Sequence, residues 1–120
     1  DGDVVIDHTT ELMWHQAGSS DYFNLKKANK WLKKINKKGY SGFHDWRLPT
    51  LEEASSLLEF GTKSGKFIHT IFDEKQWGTW TGDRSDKGLS WIVTYVNGTI
   101  SEVQAGTPAT FIRPVRSLNI

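Results

Sequence analysis

The segment HDWRLPTLEEASSLL, residues 44 to 58, decides how the rest of the chain is organised. The residue before a proline is pushed to extended backbone geometry, so the chain is predicted to be extended up to Pro49. Thr50, with Glu53 three residues later, is the pattern of a capping box, which predicts that a helix begins at Thr50. Leucine and alanine then recur at helical spacing, and Gly61 is the predicted end of the helix. This segment therefore predicts a rigid corner between extended chain and helix.

The bulk composition limits the class of protein. A length of 120 residues fits one domain with its own core, and we expect a single domain over residues 1–120, excised or processed from a longer protein. The chain has no cysteine, which excludes disulfides, Cys-ligated zinc and thiol catalysis. No apolar run approaches the roughly 18 residues that a membrane-spanning helix needs, so we expect no membrane insertion.

A lysine-rich segment precedes the corner. Apolar residues at helical spacing predict a helix from Asp21 or Asn24 to residue 37, closed by Gly39. Residues 26 to 38 hold seven of the 15 basic residues and no acid. The remaining eight basic and 14 acidic residues therefore carry a balance of −6, so the charge is segregated along the chain.

The lysines of this helix fall on adjacent stripes and form one basic face. The candidate ligand-binding residues on it are Lys26, Lys30, Lys33, Lys34 and Lys37. A row of ammonium groups suits sulfated or phosphorylated polymers, which it would bind in a salt-dependent way. The alternative is a solvated face that is balanced by the acidic remainder of the chain.

The pattern from Trp77 onward is that of β-structure. The predicted strands are residues 78–82, 89–96, 99–103 and 110–115, and residues 4–6 and 12–14 predict a short N-terminal hairpin. Asn97-Gly98 is the strongest hairpin signal in the chain. Pro114 predicts an edge or irregular end for the last strand. Two helices packed on an antiparallel sheet with long loops is an α+β layout.

Several motifs occur in the order found in one bacterial family. They are Leu12-Met13-Trp14, the run from Asp45 to Thr50 with Glu53, Trp80-Thr81, the run from Ser90-Trp91 to Asn97-Gly98, and the run from Arg113 to Arg116. The chain thereby resembles, over nearly its whole length, the family named after the C-terminal domain of the Legionella collagen-like adhesin. Trp-Arg-Leu-Pro-Thr is the most specific part of this match.

The resemblance implies a C-type-lectin-like fold in an extracellular, cell-surface or periplasmic bacterial protein. It also implies a trimeric head that binds sulfated glycosaminoglycans, and hence a homo-oligomer. Members of the family often carry cysteines, and this chain has none. The related lectin-like formylglycine-generating enzymes depend on active-site cysteines, so their chemistry is excluded.

Six Trp, six Phe and three Tyr give more aromatic surface than a small core needs. An indole beside polar side chains suits a sugar, because apolar ring faces stack while ring edges hydrogen-bond. In the C-terminal region Trp77 is the best candidate for an exposed, ligand-binding indole, whereas the sequence does not decide between a core and a ligand-binding role for Trp80. Arg84 is the candidate polar side chain beside these indoles. Core packing is the predicted role of the others, which are Trp14, Trp31, Trp46 and Trp91.

No catalytic, metal or cofactor site is predicted. The loop of residues 83–88 has Lys87 where a calcium ligand is needed and lacks a closing Glu, so a plain turn is favoured. Residues 61–66 are one residue short of a phosphate-binding loop. The four His lack ligand spacing, and neighbouring acids such as residues 52–53 and 73–74 point apart on a helix.

Two hypotheses remain from these patterns. The first is a non-enzymatic recognition module that binds an anionic glycan through the basic helix and exposed aromatic residues. The second is a protein-binding or sensory module of the same fold, because a fold does not fix function. Nucleic acid ranks lower as a partner, because the chain has neither a nucleic-acid motif nor an overall basic charge.

Overall fold

The computed structural model describes residues 3–58 and 77–118. Its elements in chain order are β1 Val4–Asp7, β2 Leu12–His15, α1 Leu25–Lys38, a 3-10 turn Tyr40–Gly42, α2 Leu51–Ser56, β3 Gly78–Arg84, β4 Ser90–Thr94, β5 Thr99–Val103 and β6 Val115–Ser117. The α+β class is confirmed. Predictions for Gly61, the segment of residues 61–66 and the acids at 73–74 concern positions outside the described residues.

The strands form two antiparallel three-stranded sheets, in the orders β1-β2-β6 and β3-β4-β5. Both predicted hairpins are confirmed, β1 with β2 and β4 with β5. The prediction of residues 110–115 as the last strand of the C-terminal sheet is wrong. Thr110 and Phe111 make isolated bridges, and β6 begins after Pro114 and pairs with β2. Proline has no N–H to donate to a ladder, which accounts for the late start of β6.

The central strands β2 and β4 bury both of their faces. Neighbouring residues on a strand point to opposite faces, and here Ile92 and Val93 lie in different clusters of the core. One cluster contains residues of α2 and the other contains residues of α1. The two helices therefore cover opposite faces of the sheets.

Residues 45–53, here called the corner segment, are hydrogen-bonded to two strands, β6 and β3. Arg47 and Val115 exchange both backbone hydrogen bonds, at 2.9 and 3.0 Å. The N–H of Gly82 donates to the carbonyl of Pro49 at 2.9 Å, and the N–H of Leu51 donates to Asp83 Oδ2 at 3.1 Å. These last two contacts come from a bulge in β3, where the register with β4 shifts between Trp80 and Arg84.

The predicted capping box at the start of α2 is confirmed. Thr50 Oγ1 accepts the N–H of Glu53 at 3.0 Å, and Glu53 Oε1 accepts the N–H of Thr50 at 2.9 Å. Arg47 donates to both carboxylate oxygens of Glu53, at 2.7 and 2.8 Å. These bonds lower the pKa of Glu53 below its usual value. The helix ends at Ser56, which is earlier than the sequence predicts.

Candidate functional site

Helix α1 carries the lysines and has a defined cap at each end. Asn24 is the N-cap, and its side-chain oxygen accepts the N–H of Lys27 at 2.9 Å. Gly39 closes the helix in the left-handed region, with φ +78°, and its N–H donates to the carbonyl of Ile35 at 2.9 Å. A Cβ at Gly39 would lie 2.6 Å from the His44 ring, so both the backbone and the space favour glycine. The predicted helix is thus confirmed.

The inner side of α1 is fixed on the core. Ala28, Leu32 and Ile35 are buried in the cluster that contains Trp46. The amide of Asn36 donates to the Trp46 carbonyl and accepts the Trp46 N–H, both at 2.8 Å. The Asn36 side chain thus pairs with the Trp46 backbone as a residue of a neighbouring strand would. The two bonds set the rotation of the helix about its axis. The lysines therefore point to solvent in a defined direction.

All seven lysines of α1 are exposed, and together they form the lysine face. They are Lys26, Lys27, Lys30, Lys33, Lys34, Lys37 and Lys38. At 3.6 residues per turn they span an arc of about 140° on a helix about 20 Å long. The ion pairs between described residues join Arg47 to Glu53 and Arg116 to Asp45, and neither pair involves a lysine.

The lysine face costs α1 stability. Like charges at i and i+4, such as Lys26 with Lys30, destabilise a helix by roughly 0.2–0.5 kcal/mol per pair. Lys26 and Lys27 also lie in the first turn, where the helix dipole is positive and no acidic side chain is present. Only Lys37 and Lys38, in the last turn, interact favourably with the helix dipole, so the other lysines add no stability to the described fold.

An aromatic pair lies near the N-terminal end of the lysine face. Trp77 is 38% exposed and Tyr22 is 53% exposed, and their ring centroids are 5.4 Å apart. The Phe111 ring packs edge to face against the Trp77 ring, with 4.7 Å between the ring centroids. Tyr22 and Lys27 line the same shallow pocket of about 480 Å³. Sequence reasoning missed Tyr22, whose signal is an aromatic residue in a polar loop just before the N-cap.

The burial of the other tryptophans differs in part from the sequence prediction. Trp80 is fully buried, at 0% exposure, and its Nε1 donates to the carbonyl of Phe23 at 2.9 Å. The structure thus does not support a ligand-binding role for Trp80. Trp14 and Trp46 are buried as predicted, whereas Trp31 and Trp91 are only partly buried.

Arg84 lies apart from the lysine face. It lines a pocket at the end of the β3–β4 hairpin together with Trp91 and Glu102. Trp91 precedes Ile92, which belongs to the cluster under α1, so its side chain points to the other face of β4. The candidate residues thus separate into an α1 group, formed by the five candidate lysines with Trp77, and a hairpin group around Arg84.

Two further properties concern metals and membranes. Within residues 3–58 and 77–118, no three His, Asp or Glu side chains come together as a metal site would require. Independence of calcium stays a prediction. No helix in the described part of the chain is long and apolar enough to cross a bilayer.

The structure is that of a small α+β domain with one exposed basic helix face. The sequence model of one family, described as the Lcl C-terminal domain, matches residues 3–116, and the chain belongs to this family. Its members are adhesin-type, non-catalytic domains, so this is a surface-adhesin-related module. No curated protein and no solved structure matches the chain significantly.

Proposed function

We propose that this domain is a non-enzymatic recognition module that binds anionic polysaccharide, sulfated glycans in particular, through the lysine face. The observation that carries the proposal is that seven lysines are exposed on one helix and have no ion pair with another described residue. The corresponding location is the cell surface, the extracellular space or the periplasm.

Electrostatics explains why such a face suits a linear polyanion. Each ammonium group is a compact, strongly hydrated point charge that binds an anionic group without a fixed fork geometry. The face is rigid along its length because α1 is capped at both ends and bound to the corner segment through Asn36. A polyanion that lies along the helix would neutralise several lysines at once and release its condensed counterions.

The aromatic pair extends the proposed site beyond its charges. Tyr22 and Lys27 line one pocket, and Trp77 packs beside Tyr22. A sugar ring of a polymer bound along α1 would stack on this pair while neighbouring sulfates meet the lysines. Stacking releases no ions, so the aromatic pair would add affinity that salt does not weaken.

The test is heparin binding measured at several salt concentrations. Affinity should fall steeply as salt rises, and the slope of log affinity against log salt should follow the number of lysines engaged. Replacing Lys26, Lys30, Lys33 and Lys37 together by Gln should weaken binding and flatten that slope. Trp77→Ala should weaken binding and leave the slope nearly unchanged.

A matched pair of variants separates the face from net charge. Lys30→Gln with Lys33→Gln removes two charges from the lysine face, whereas Arg84→Gln with Lys87→Gln removes two from the hairpin. Only the first pair should lower heparin affinity. Equal losses of heparin affinity from both pairs, or a parent that does not bind heparin at moderate salt, would show that the lysine face is only a solvated surface. The alternative of a protein receptor as partner would then take first place.

The trimer that the family resemblance implies stays a prediction. Three lysine faces on one head would raise avidity for a long polymer without any new contact. Sedimentation equilibrium measures this directly, and a monomer at the concentrations used for heparin binding would remove avidity from the proposal.

A further inference from the structure

A second pocket lies at the end of the β3–β4 hairpin, on the face of β4 away from α1. It has a volume of about 280 Å³ and is lined by Arg84, Ser85, Asp86, Lys87, Trp91 and Glu102. The sequence predicts a plain turn for the loop and a core position for Trp91. The loop is a turn as predicted, but Trp91 is partly exposed and lies among four charged side chains.

The hairpin loop is held in shape by its own hydrogen bonds. Ser85 Oγ accepts the N–H groups of Lys87 and Leu89, both at 3.3 Å. The Ser85 carbonyl accepts the N–H of Gly88 at 3.0 Å, and Gly88 has φ +76°. A loop with this many internal bonds loses little conformational freedom when a ligand binds.

Trp91 lines this pocket and its backbone is held within the sheet. Its carbonyl accepts a hydrogen bond from the buried Thr81 hydroxyl at 2.7 Å, and Glu102 is its cross-strand partner on β5. The bulge in β3 ends at Arg84, which pairs with Ser90 beside Trp91. Indole, carboxylate and guanidinium therefore come from three adjacent strands, whose pairing sets the positions of the three backbone segments.

The charges around the indole balance. Arg84 and Lys87 are positive, and Asp86 and Glu102 are negative. No ion pair joins these four side chains to one another or to another described residue. Their donors and acceptors therefore remain available to a ligand, although charges of opposite sign line the same pocket.

We propose that this pocket binds one neutral hexopyranose ring, stacked on Trp91. Such a ring presents an apolar C–H face to the indole and a rim of hydroxyls to the charged side chains, which form charge-assisted hydrogen bonds. A polyanion would meet Asp86 and Glu102, and a cation would meet Arg84 and Lys87. This neutral-sugar site is separate from the lysine face and does not depend on it.

The experiment follows the six indole N–H signals of the ¹⁵N-labelled domain during titration with methyl glycosides of glucose, galactose and mannose. At least one of them should shift the Trp91 signal to saturation, with the same affinity at low and high salt. Glucuronate and heparin should not reproduce this shift. The proposal is overturned if no neutral glycoside moves the Trp91 signal, or if only anionic sugars move it and salt abolishes the effect.

Variants test the site by isothermal titration calorimetry with the glycoside, because Trp91→Ala and Trp91→Phe remove the Trp91 signal itself. Trp91→Ala should weaken glycoside binding by about tenfold or more, and Trp91→Phe, which retains a ring, should recover part of that loss. Glu102→Gln removes a charged acceptor and should weaken binding by a smaller factor. Trp77→Ala is the control, because its ring lies in the α1 group. Equal affinity in the parent and a folded Trp91→Ala variant would refute the site.

The two binding proposals fail separately. Loss of heparin binding by the lysine variants with intact glycoside shifts supports both sites as independent. A glycoside affinity that changes in the quadruple Lys→Gln variant would overturn the separate hairpin site.

Discussion

The corner segment and the lysine face both concentrate charge, but they use it differently. In the corner segment Arg47 binds Glu53 and Asp45 binds Arg116 Nε at 2.6 Å, and the hydrogen bond from Arg116 lowers the pKa of Asp45. Arg116 also lies over the ring of Phe43, 3.8 Å from its centre. In α1 seven lysines repel one another and have no partner among the described residues.

This difference separates stability from binding. A charge that is already hydrogen-bonded inside the fold is held in place and has little capacity left for a ligand. An unpaired, exposed charge contributes little to folding and remains available. We therefore expect substitutions in the corner segment to lower the free energy of unfolding, and substitutions on the lysine face to weaken binding without lowering the free energy of unfolding.

The largest expected effect is that of Trp46→Ala. Trp46 is 2% exposed, its Nε1 donates to the Tyr40 carbonyl at 3.0 Å, and its backbone pairs with Asn36. Removing a buried indole should lower the free energy of unfolding by roughly 3–5 kcal/mol, measured by urea denaturation. Trp77→Ala is the control, because its ring is partly exposed and should cost much less. Similar midpoints for the two variants would show that Trp46 does not hold the corner segment on the core.

Local signals explain why the corner segment and α1 could be predicted. Thr50 and Glu53 are three residues apart, and Gly39 follows its helix directly, so each pattern lies within one or two turns of chain. The pairing of β6 with β2 could not be predicted, because it joins residues about 100 positions apart in the sequence.

The exposure of the indoles could not be predicted from the sequence either. Trp80 and Trp91 both lie on strands that look half apolar, and alternation alone does not say which face a helix covers. In the structure Trp80 pairs with Ile92 in the cluster under α1, whereas Trp91 lies on the other face at a pocket. The lysine face needed no such information, because a helix that buries one side exposes the opposite one.

The second prediction concerns His15, which lies between α1 and the corner segment. Its ring stacks on Tyr40 at 3.9 Å, and its Nδ1 accepts the N–H of Gly18 at 2.8 Å. Burial, with Arg113 nearby, lowers the pKa of His15 to about 4. The unfolded chain takes up a proton near its ordinary pKa of about 6.5, whereas the folded chain does not. Stability should therefore fall as pH drops from about 6.5 to about 4, by up to about 3 kcal/mol.

Urea denaturation at a series of pH values checks this window. His15→Gln should be less stable at neutral pH, but its stability should depend less on pH between about 4 and about 6.5 than that of the parent. His8→Gln, at an exposed position, should keep the parental dependence. If the stability of His15→Gln depended on pH as steeply as that of the parent, the pH dependence would have to come from other titratable groups.

The third prediction is smaller and tests the capping box. Thr50→Ala removes the acceptor for the N–H of Glu53 and should cost about 1 kcal/mol. Thr50→Ser keeps a hydroxyl and should retain most of the stability. Should the Ala and Ser variants unfold at the same urea concentration as the parent, the box would not contribute to holding α2.

The smallest effect is expected on the lysine face, and it has the opposite sign. Replacing Lys26, Lys30, Lys33 and Lys37 by Gln removes like-charge pairs at i,i+4 and i,i+3 and one positive charge from the first turn of α1. It also removes Lys37 from the last turn, where a positive charge is favourable, and this loss offsets part of the gain. The variant should be as stable as the parent or more stable by a few tenths of a kcal/mol to about 1 kcal/mol at low salt. High salt should remove this gain because it screens exposed charges within about one Debye length. Heparin binding by the same preparation should be weakened, so one variant changes stability and affinity in opposite directions. A clear loss of stability would instead show that the lysines support the fold, and the contrast with the corner segment would then be lost.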